Sequence, residues 1–397
     1  MSDPRMPGHL DAAGSPAPSL TVVGVRGIGE VVAGSDVARL VVDALARDGV
    51  SLGAGDCLVV SSKVASKSLG LTWSGSKVDA VAAGTVRVVA ERWADGRPTR
   101  VVESVAGPVM AAAGVDGSNT GPSATLLVLP DDPDAVADRL RSDVLALLGL
   151  DASTPFAVVL SDTAGRAWRG GLTDFALGSA GLHVLEDLRG GVDHDGRPLA
   201  VTMRAVADEV AAAADLVKGK ANGIPAALVR GLDPACFDAS AEGARRLVRT
   251  GPGDWFALGH VEAVRTALGA APGSDEALEV GVASAGDRDD VVARVGRVVA
   301  LALLEVPEGS ADVDVRSARG ADAAKDTTQD GARGAAVAEI ALAAPEDYEL
   351  GRLVTRLEVA AHSEGLRATV TARGPLCVTL TLSEPDPAVT SHASRQS

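Results

Sequence analysis

The chain has 397 residues and a formal charge of −16, and aromatic side chains make up 2% of it. The acidic charge is spread along the chain, so the composition excludes a basic surface for nucleic acid, and the few aromatic residues offer no base-stacking platform. No apolar run approaches the ~18 residues of a membrane-spanning helix, and three widely spaced cysteines without CxxC spacing exclude a structural zinc site and predict a reduced, cytoplasmic compartment.

Predicted strands and helices alternate through the first 249 residues, which is typical of α/β and α+β proteins. Residues 1–19 lack the basic start and apolar core of a signal peptide and are predicted to be a disordered tail. Hydrophobic periodicity predicts strands over residues 20–25, 56–60, 100–104, 124–129, 199–203 and 226–229. It predicts helices over residues 36–48, 78–93, 133–148 and 205–217. Residues 20–249 are therefore predicted to form a mixed α/β core domain.

The composition changes after residue 249. Residues 250–270, which begin TGPGDWFALG, are predicted to connect the core domain to a second, smaller α+β domain over residues 271–385. That domain has predicted strands over 278–283 and 368–372 and a polar, glycine-rich insertion over 316–333. Residues 386–397 are predicted to be a disordered tail. The fold class predicted for the whole chain is α+β.

The run FAVVLSDTAGRAWRGGLTD carries the most informative group of polar residues. A buried-strand pattern ends at Asp162 and Thr163, and a glycine-broken loop with Arg166 and Arg169 is predicted to follow. A carboxylate and a hydroxyl are hard oxygen ligands of the kind that Mg²⁺ accepts, and guanidinium groups suit a phosphate or carboxylate substrate. The run therefore favours metal-assisted phosphate chemistry.

Asp116 and Asn119 lie in the glycine-bounded run AGVDGSN, which has two interpretations. Asx side chains in such loops usually stabilise the turn itself. Alternatively, Asp116 is a second carboxylate for the cation at Asp162, and Asn119 is a neutral polar contact to a nucleotide. Only the positions of these side chains in space distinguish the two interpretations.

The run SSKVASK, which contains Ser62, Lys63 and Lys67, follows the predicted strand over residues 56–60. It is predicted to be a polar, cationic turn. Such a turn is either a plain solvated loop or a holder of nucleotide phosphates. The Walker sequence GxxxxGK[ST] is absent, so any nucleotide site has a different design.

The run KGKANGIPAALVRG, with Gly219, Lys220, Gly223 and Pro225, is either a plain helix-to-strand connection or a loop that wraps a base or ribose. Between these runs lies a charged segment with alternating signs. A buried salt network explains that segment as readily as substrate contact does. The alternating charges include Asp174, Arg189, Asp193 and Arg197, and His194 in the same segment is interpreted as an exposed residue and not as a general base.

Taken in order, the runs GIGE, SSKVASK, AGVDGSN, SDTAGRAWRGGLTD, GGVDHDGRPL, VADE and GKANGIPAALVRG resemble those of the coenzyme F420:L-glutamate ligases over residues 20–249. The resemblance implies that family's own α+β fold and an intertwined homodimer. It implies a GTP-dependent, amide-forming ligase that joins L-glutamate to the lactate carboxylate of the F420 precursor through an acyl phosphate and extends a γ-glutamyl tail. Two divalent cations, Mg²⁺ or Mn²⁺, are implied as cofactors.

The resemblance also implies roles for individual residues. Asp116 and Asp162 would hold one cation, and Thr163 would help to hold a second. Asp162 and Lys67 are the implied catalytic residues, because the cations and Lys67 would offset charge on the transferring phosphoryl group. No general base is singled out. The implied nucleotide contacts are Gly27, Ile28, Gly29, Glu30, Ser62, Lys67, Asn119, Gly219, Lys220, Gly223 and Pro225.

Three residues depart from the family pattern. Gly29 stands in GIGE where the family usually has proline, Ala112 stands where asparagine is common, and Met203 stands where glutamate is frequent. These departures leave two alternatives open. One is a degenerate protein that binds F420 without turnover, and the other is a related nucleotide-dependent ligase with another acceptor.

Many fused members of the family carry a flavin-binding, nitroreductase-like domain, and the run LVRTGPGDWFALG resembles the connector that leads into it. Residues 271–385 lack a matching run of arginines and serines for a flavin phosphate, and they are few for that fold. We therefore expect that no FMN is bound.

Overall fold

The computed structural model describes residues 18–94, 96–117, 125–220, 222–251, 254–284, 290–306, 308–315 and 336–384. Its strands are β1 (Thr21–Gly24), β2 (Asp56–Ser61), β3 (Thr72–Trp73), β4 (Thr85–Ala94), β5 (Arg97–Ser104), β6 (Val109–Ala111), β7 (Leu126–Leu127), β8 (Ala157–Arg166), β9 (Arg169–Ala180), β10 (Glu186–Asp187), β11 (Met203–Arg204), β12 (Ala226–Arg230), β13 (Ser310–Val315), β14 (Ala336–Ala343), β15 (Arg367–Gly374) and β16 (Cys377–Ser383).

The α-helices are α1 (Val37–Arg47), α2 (Ser62–Ser68), α3 (Lys77–Ala83), α4 (Pro133–Leu148), α5 (Val206–Lys218), α6 (His260–Ala267), α7 (Asp275–Val280), α8 (Val291–Leu303) and α9 (Asp347–Ser363). Short 3₁₀ turns occur at Ala112–Gly114, Pro234–Cys236 and Ala244–Leu247. The chain is a mixed α+β protein, which confirms the predicted fold class.

The chain divides into two compact units, of which the first comprises described residues within Met1–Ala80, Ala106–Pro108 and Val115–Val248. Its centre is a five-stranded sheet in the order β1-β12-β2-β8-β9. Strands β2 and β8 run parallel, and the other neighbours run antiparallel. The carboxyl ends of β2 and β8 therefore meet at one edge of the sheet.

Helices cover both faces of this sheet, which is why its central strands are apolar without alternation. In β2, Leu58 and Val60 pack in a core with side chains of α1 and α4. Cys57 and Val59 point to the other face and pack in a core with side chains of α5. All four side chains are fully buried, so β2 is held rigidly from both sides.

Local signals in the sequence set the ends of the long helices. Asp36 caps α1 by accepting a hydrogen bond from the Arg39 backbone amide at 2.9 Å. The α4 helix begins with a proline after the capping residue Asp132 and ends at Gly149, whose φ of 67° suits a left-handed cap. The predicted helix over residues 133–148 is thus confirmed at both ends.

Residues 62–68 form the helix α2 and not the predicted polar turn. The helix starts directly after β2, with Ser61 in an extended conformation at the N-cap position. Its side chains at Ser62, Val64, Ala65 and Ser66 are buried, so small residues let the helix pack closely on the sheet. Tertiary packing overrides the local polar signal here.

Two other predicted elements have the wrong type. The helix predicted over residues 78–93 stops at Ala83, and the β-branched run that follows Gly84 forms β4, which pairs with β5. The strand predicted over residues 278–283 is overridden by α7, because Ser274 caps that helix by accepting a hydrogen bond from the Ala277 amide at 3.2 Å.

The predicted loop after Thr163 is a β-hairpin. Strand β8 continues to Arg166, β9 begins at Arg169, and Thr163 lies opposite Asp174 in the register. The strand predicted over residues 199–203 is present only as the short β11. The insertion predicted over residues 316–333 lies outside the described residues.

The second unit comprises described residues within Val81–Val105, Val109–Gly114 and Arg249–Ser397. It contains an antiparallel sheet in the order β13-β14-β16-β15 and a smaller sheet, β4-β5-β6. The larger sheet shares a core with α8 and α9, centred on Ile340 and Leu357. Part of the segment before residue 249 thus belongs to this unit, while the limits expected for the two domains stay a prediction.

One strained turn in this unit contains Ala112, one of the departures from the family pattern. Ala112, Ala113 and Gly114 have φ values of 52°, 51° and 72°. This left-handed conformation costs a non-glycine residue about 1 kcal/mol, whereas asparagine adopts it more readily. The asparagine common in the family at position 112 would therefore fit this backbone.

We expect Ala112→Asn to raise the free energy of unfolding by about 0.5–1 kcal/mol, because it relieves this strain. Urea denaturation of the full chain measures the change. Ala111→Asn serves as the control, because Ala111 lies in β6 and its φ is not positive. Equal effects of the two substitutions would contradict the explanation.

Candidate active site

The first turn of α2 contacts two carboxylates that lie far apart in the sequence. The Ser62 hydroxyl donates a hydrogen bond to the carboxylate of Asp162, on β8. The next residue, Lys63, places its Nζ atom 2.8 Å from Oδ2 of Asp116. Asp116 itself is held by two backbone hydrogen bonds to Leu127, at 3.1 and 2.8 Å. Asp116 and Asp162 are thus brought to the same end of α2.

The electrostatic setting of Asp162 reflects this arrangement. The pKa of its carboxyl group is raised to about 6, chiefly by burial and to a smaller extent by the negative charges of Asp174 and Asp116. Hydrogen bonds from the Thr163 backbone amide and from Ser62 act in the opposite direction. Two further carboxylates, those of Asp174 and Asp116, therefore act on Asp162, and a cation bound between Asp116 and Asp162 would be stabilised.

A second polar network adjoins the first at Thr163. The Thr163 hydroxyl donates to Oδ1 of Asp174 at 2.6 Å, and Nζ of Lys220 donates to the same hydroxyl oxygen at 2.8 Å. Oδ2 of Asp174 accepts from the Ser161 hydroxyl at 2.9 Å and from Nζ of Lys218 at 2.6 Å. Asp174 and Lys218 form a buried ion pair.

The pKa of Asp174 follows from this network. Burial alone would raise the pKa, but the charge of Lys218 and hydrogen bonds from Lys218, Thr163 and Ser161 outweigh it, so the pKa lies below its usual value. Asp174 is therefore a carboxylate at neutral pH. Asp162 and Asp174 are two acids on adjacent strands whose pKa values are shifted in opposite directions.

The GIGE segment lies between β1 and α1 and reaches the last turn of α2. Oε1 of Glu30 is 2.5 Å from Nζ of Lys67. Gly27 and Gly29 have φ values of 72° and 79°, which favour glycine, and the carbonyl of Gly27 accepts a hydrogen bond from Arg47 at 2.8 Å. The structure thus places Glu30 and Lys67 in contact.

The connection between α5 and β12 approaches the same end of the sheet. Gly219 and Gly223 adopt positive φ values of 61° and 63°, so the chain turns sharply there. The carbonyl of Pro225 accepts a hydrogen bond from the Ser61 amide at 2.9 Å, which fixes the loop beside the start of α2. Lys220 reaches from this loop to Thr163.

Comparison with known proteins decides the family. Residues 27–231, just over half of the chain, match the family described as F420-0:gamma-glutamyl ligase. The chain belongs to this family. The match includes every residue of the site described above and confirms the resemblance found in the sequence.

Individual relatives agree with this assignment. Over 236 residues the chain is 36% identical to the coenzyme F420:L-glutamate ligase of Haloarcula marismortui, covering 54% of the chain and 88% of that protein. It is 36% identical over 253 residues to the enzyme of the same name from Halobacterium salinarum, covering 58% of the chain and 93% of the relative. The corresponding values for Methanopyrus kandleri are 35% over 246 residues, 56% and 92%.

Not every predicted site residue lies close to Asp162. Arg166 and Arg169 face each other at the exposed tip of the β8–β9 hairpin, where Arg166 is about 13 Å along the strand from Asp162 at ~3.3 Å per residue. Their role as substrate contacts stays a prediction. Asn119 lies outside the described residues.

Two residues of the two networks, Lys218 and Ser161, were not singled out from the sequence, and the contact of Lys63 with Asp116 was not predicted. Lys63 stands in the run SSKVASK, but only the helical phase of α2 shows that it reaches Asp116. Lys218 is the last residue of α5, where a lysine is usual on grounds of the helix dipole alone. Ser161 reads as part of an apolar strand. Neither Lys218 nor Ser161 carries a local signal that points to a site.

Two further findings concern the described residues of both units. No helix in the described part of the chain is both long and apolar enough to cross a membrane. Among the described residues, no three histidine, cysteine, aspartate or glutamate side chains come together as a metal site. A cation at Asp116 and Asp162 would therefore need additional ligands from hydroxyl groups, water or a substrate.

Proposed function

We propose that this chain is a GTP- and divalent-cation-dependent ligase that adds L-glutamate to the lactate carboxylate of the coenzyme F420 precursor. The observation that carries the proposal is the convergence of Asp116 and Asp162 on the first turn of α2, with Thr163 beside them. Family membership supports the ligation of glutamate to F420. The nucleotide, the cations and the intermediate are our extension.

The donor set suits Mg²⁺ or Mn²⁺ bound together with a nucleotide. Mg²⁺ in nucleotide sites is usually held by one or two carboxylates and by phosphate oxygens, and not by a complete protein cage. Asp116 and Asp162 would hold one cation, and Thr163 would help to hold a second. When bound, the cations would neutralise negative charge on the phosphates.

The side chains around this site divide the remaining tasks. Lys67 and Lys220 would offset charge on the phosphates, together with the backbone amides at the start of α2. Glu30, with the preceding residues 27–29, and the loop from Gly219 to Pro225 would enclose the nucleotide. Ser62 holds Asp162 in place. Asn119 would contribute one further nucleotide contact.

The proposed chemistry proceeds through an acyl phosphate because a carboxylate is a poor electrophile. The γ-phosphoryl group of GTP passes to a carboxylate oxygen of the precursor, which leaves GDP and an acyl phosphate. The amine of glutamate then attacks the acyl carbon, the bond from that carbon to the phosphate oxygen breaks, and inorganic phosphate and a proton leave. Repetition on the new terminus would extend a γ-glutamyl tail. A homodimer is part of the proposal.

Incubation of the purified chain with GTP, Mn²⁺, L-glutamate and unglutamylated F420 tests this proposal. We expect a product that is heavier by one glutamyl group, measured by mass spectrometry. One GDP should be released for each bond formed, measured by nucleotide chromatography. Omission of GTP or of the cation should abolish the product. Folded protein that binds the deazaflavin without forming product would contradict the proposal and favour a binding protein, and GDP release with a different amino acid would favour another acceptor.

A further inference from the structure

Both carboxylate oxygens of Asp174 accept hydrogen bonds from residues of the first unit. One oxygen accepts the hydroxyl hydrogen of Thr163, and the other accepts from Ser161 and Lys218. Asp174 lies opposite Thr163 in the β8–β9 register, so the two side chains point to the same face of the sheet. The carboxylate is 96% buried, which leaves it little freedom to adopt another position.

The hydrogen bonds fix how the Thr163 hydroxyl can act. A hydroxyl group has one hydrogen and two lone pairs. Asp174 takes the hydrogen, so the oxygen of Thr163 presents only lone pairs to its other neighbours. Lys220 donates a hydrogen bond to one of these lone pairs. The other lone pair can bind a cation.

Lys218 explains why Asp174 holds this position. Its Nζ atom contacts both Asp174 and Ser161 at 2.6 Å, and its side chain is buried at the end of α5. A buried ammonium group is strongly destabilising unless a carboxylate pairs with it. The ion pair therefore ties β9 to α5 and keeps Asp174 aimed at Thr163.

We propose that Asp174, held by Lys218, is a positioning residue that orients the Thr163 oxygen toward a divalent cation. The inference rests on the proposed function, because it takes Thr163 to be a cation ligand. Asp174 acts through Thr163 and does not touch the cation. Outer partners of this kind commonly change metal affinity by about 10–100-fold.

A purely structural role for the ion pair predicts a different result. If Asp174 only joined β9 to α5, its replacement would lower stability and leave cation affinity unchanged. If Asp174 positions Thr163, its replacement lowers the affinity for the cation that Thr163 helps to hold. Asparagine at this position can donate to Thr163 and so reverse the direction of the hydroxyl group, which would then point its hydrogen at the cation.

The test measures Mn²⁺ binding to the full chain with GTP by electron paramagnetic resonance, so the readout is binding and not activity. We expect Asp174→Asn to lower the affinity for one of the two bound Mn²⁺ ions by about 10–100-fold. Asp208→Asn is the matched control. Asp208 also bonds to β9, through the Ala176 amide at 2.9 Å, and this hydrogen bond does not involve Thr163. Its Mn²⁺ affinity should stay within about twofold of the wild type.

A double-mutant cycle shows whether Asp174 acts through Thr163. Thr163→Val removes the hydroxyl while keeping the shape of the side chain. We expect the double variant Thr163→Val, Asp174→Asn to bind Mn²⁺ with the same affinity as Thr163→Val alone, because no hydroxyl group remains at position 163 for residue 174 to orient. Additive losses would overturn the proposal.

If Asp174→Asn does not fold, the paired change Asp174→Leu with Lys218→Met removes both buried charges and the acceptor for Thr163, and the measurement is repeated on it. Wild-type affinity in the folded single or paired variant would overturn the positioning role alone. Failure of the wild type to bind Mn²⁺ with GTP would instead overturn the proposed function. The two failures are therefore distinguishable.

Discussion

The Asp162→Asn variant is expected to lose glutamate addition by about 10³-fold or more, and yet to be more stable than the wild type at pH 8 without cations. Asparagine keeps an oxygen that can accept the hydrogen bonds of Ser62 and of the Thr163 amide, so the local shape is preserved. It lacks the negative charge that a divalent cation needs. A loss of about 10³-fold corresponds to about 4 kcal/mol of transition-state stabilisation, which is typical of removing one such ionic interaction.

The gain in stability follows from the raised pKa of Asp162. This pKa is about 6 in the folded chain and close to 3.8 when unfolded, so the folded state favours the protonated form. The folded state is therefore relatively most stable below pH 3.8, and this advantage disappears as the pH rises through about 6. At pH 8 the ionised group costs roughly 1–3 kcal/mol, and asparagine removes that cost.

Urea denaturation in the presence of a chelator, at pH 8 and at pH 4.5, measures this effect. The advantage of Asp162→Asn should be larger at pH 8 than at pH 4.5. Asp138→Asn, at an exposed position on α4, is the matched control and should change neither stability nor ligation appreciably. A variant that retains glutamate addition, or that is less stable than the wild type at pH 8, would contradict the role assigned to Asp162.

In the second unit, Glu364→Gln is expected to lower the free energy of unfolding by about 3–5 kcal/mol. Oε1 of Glu364 accepts from Arg265 at 2.6 Å, and Oε2 accepts from Arg297 at 2.9 and 2.6 Å. All three side chains are at least 90% buried. Glutamine would leave two buried guanidinium groups without their carboxylate and would turn an amide donor toward one of them.

Hydrogen exchange in α8 and α9 measures this loss within the unit concerned. Glu358→Gln, at an exposed position on α9, is the control and should leave exchange unchanged. A combined replacement of Glu364, Arg265 and Arg297 by leucine and methionine should recover much of the stability, because apolar groups carry no desolvation cost. A loss below about 1 kcal/mol for Glu364→Gln would show that the ion cluster does not hold these helices together.

The sequence predicts those elements whose local signals agree with their packing. The apolar run of β2 is buried on both faces, and α4 has a capping aspartate and a terminal glycine, so both were predicted with nearly correct limits. In α2 the local sequence signal and the packing disagree. Its small polar residues resemble a loop, and only the apolar face that it shares with the sheet makes it a helix.

The site itself depends on contacts that no local pattern specifies. Spacing along the chain does not decide whether Asp116 and Asp162 approach each other. The run AGVDGSN allows a shared cation as one of two interpretations, and the family resemblance implies it. The Asp174–Lys218 pair joins a strand to a helix end, and each residue taken alone has an ordinary explanation. Likewise, β4 was predicted as a helix because its pairing with β5 is not visible in its own sequence.

The most direct test of the account is a crystal structure of the chain with Mn²⁺ and a non-hydrolysable GTP analogue, with the anomalous signal used to locate manganese. We predict a peak bridging the carboxylates of Asp116 and Asp162 at about 2.1 Å from their oxygens, near the analogue's phosphates, with a second peak near Thr163. Lys63 should then no longer be the main partner of Asp116. Manganese bound elsewhere, with Asp116 still paired to Lys63 and the phosphates distant from α2, would contradict the account.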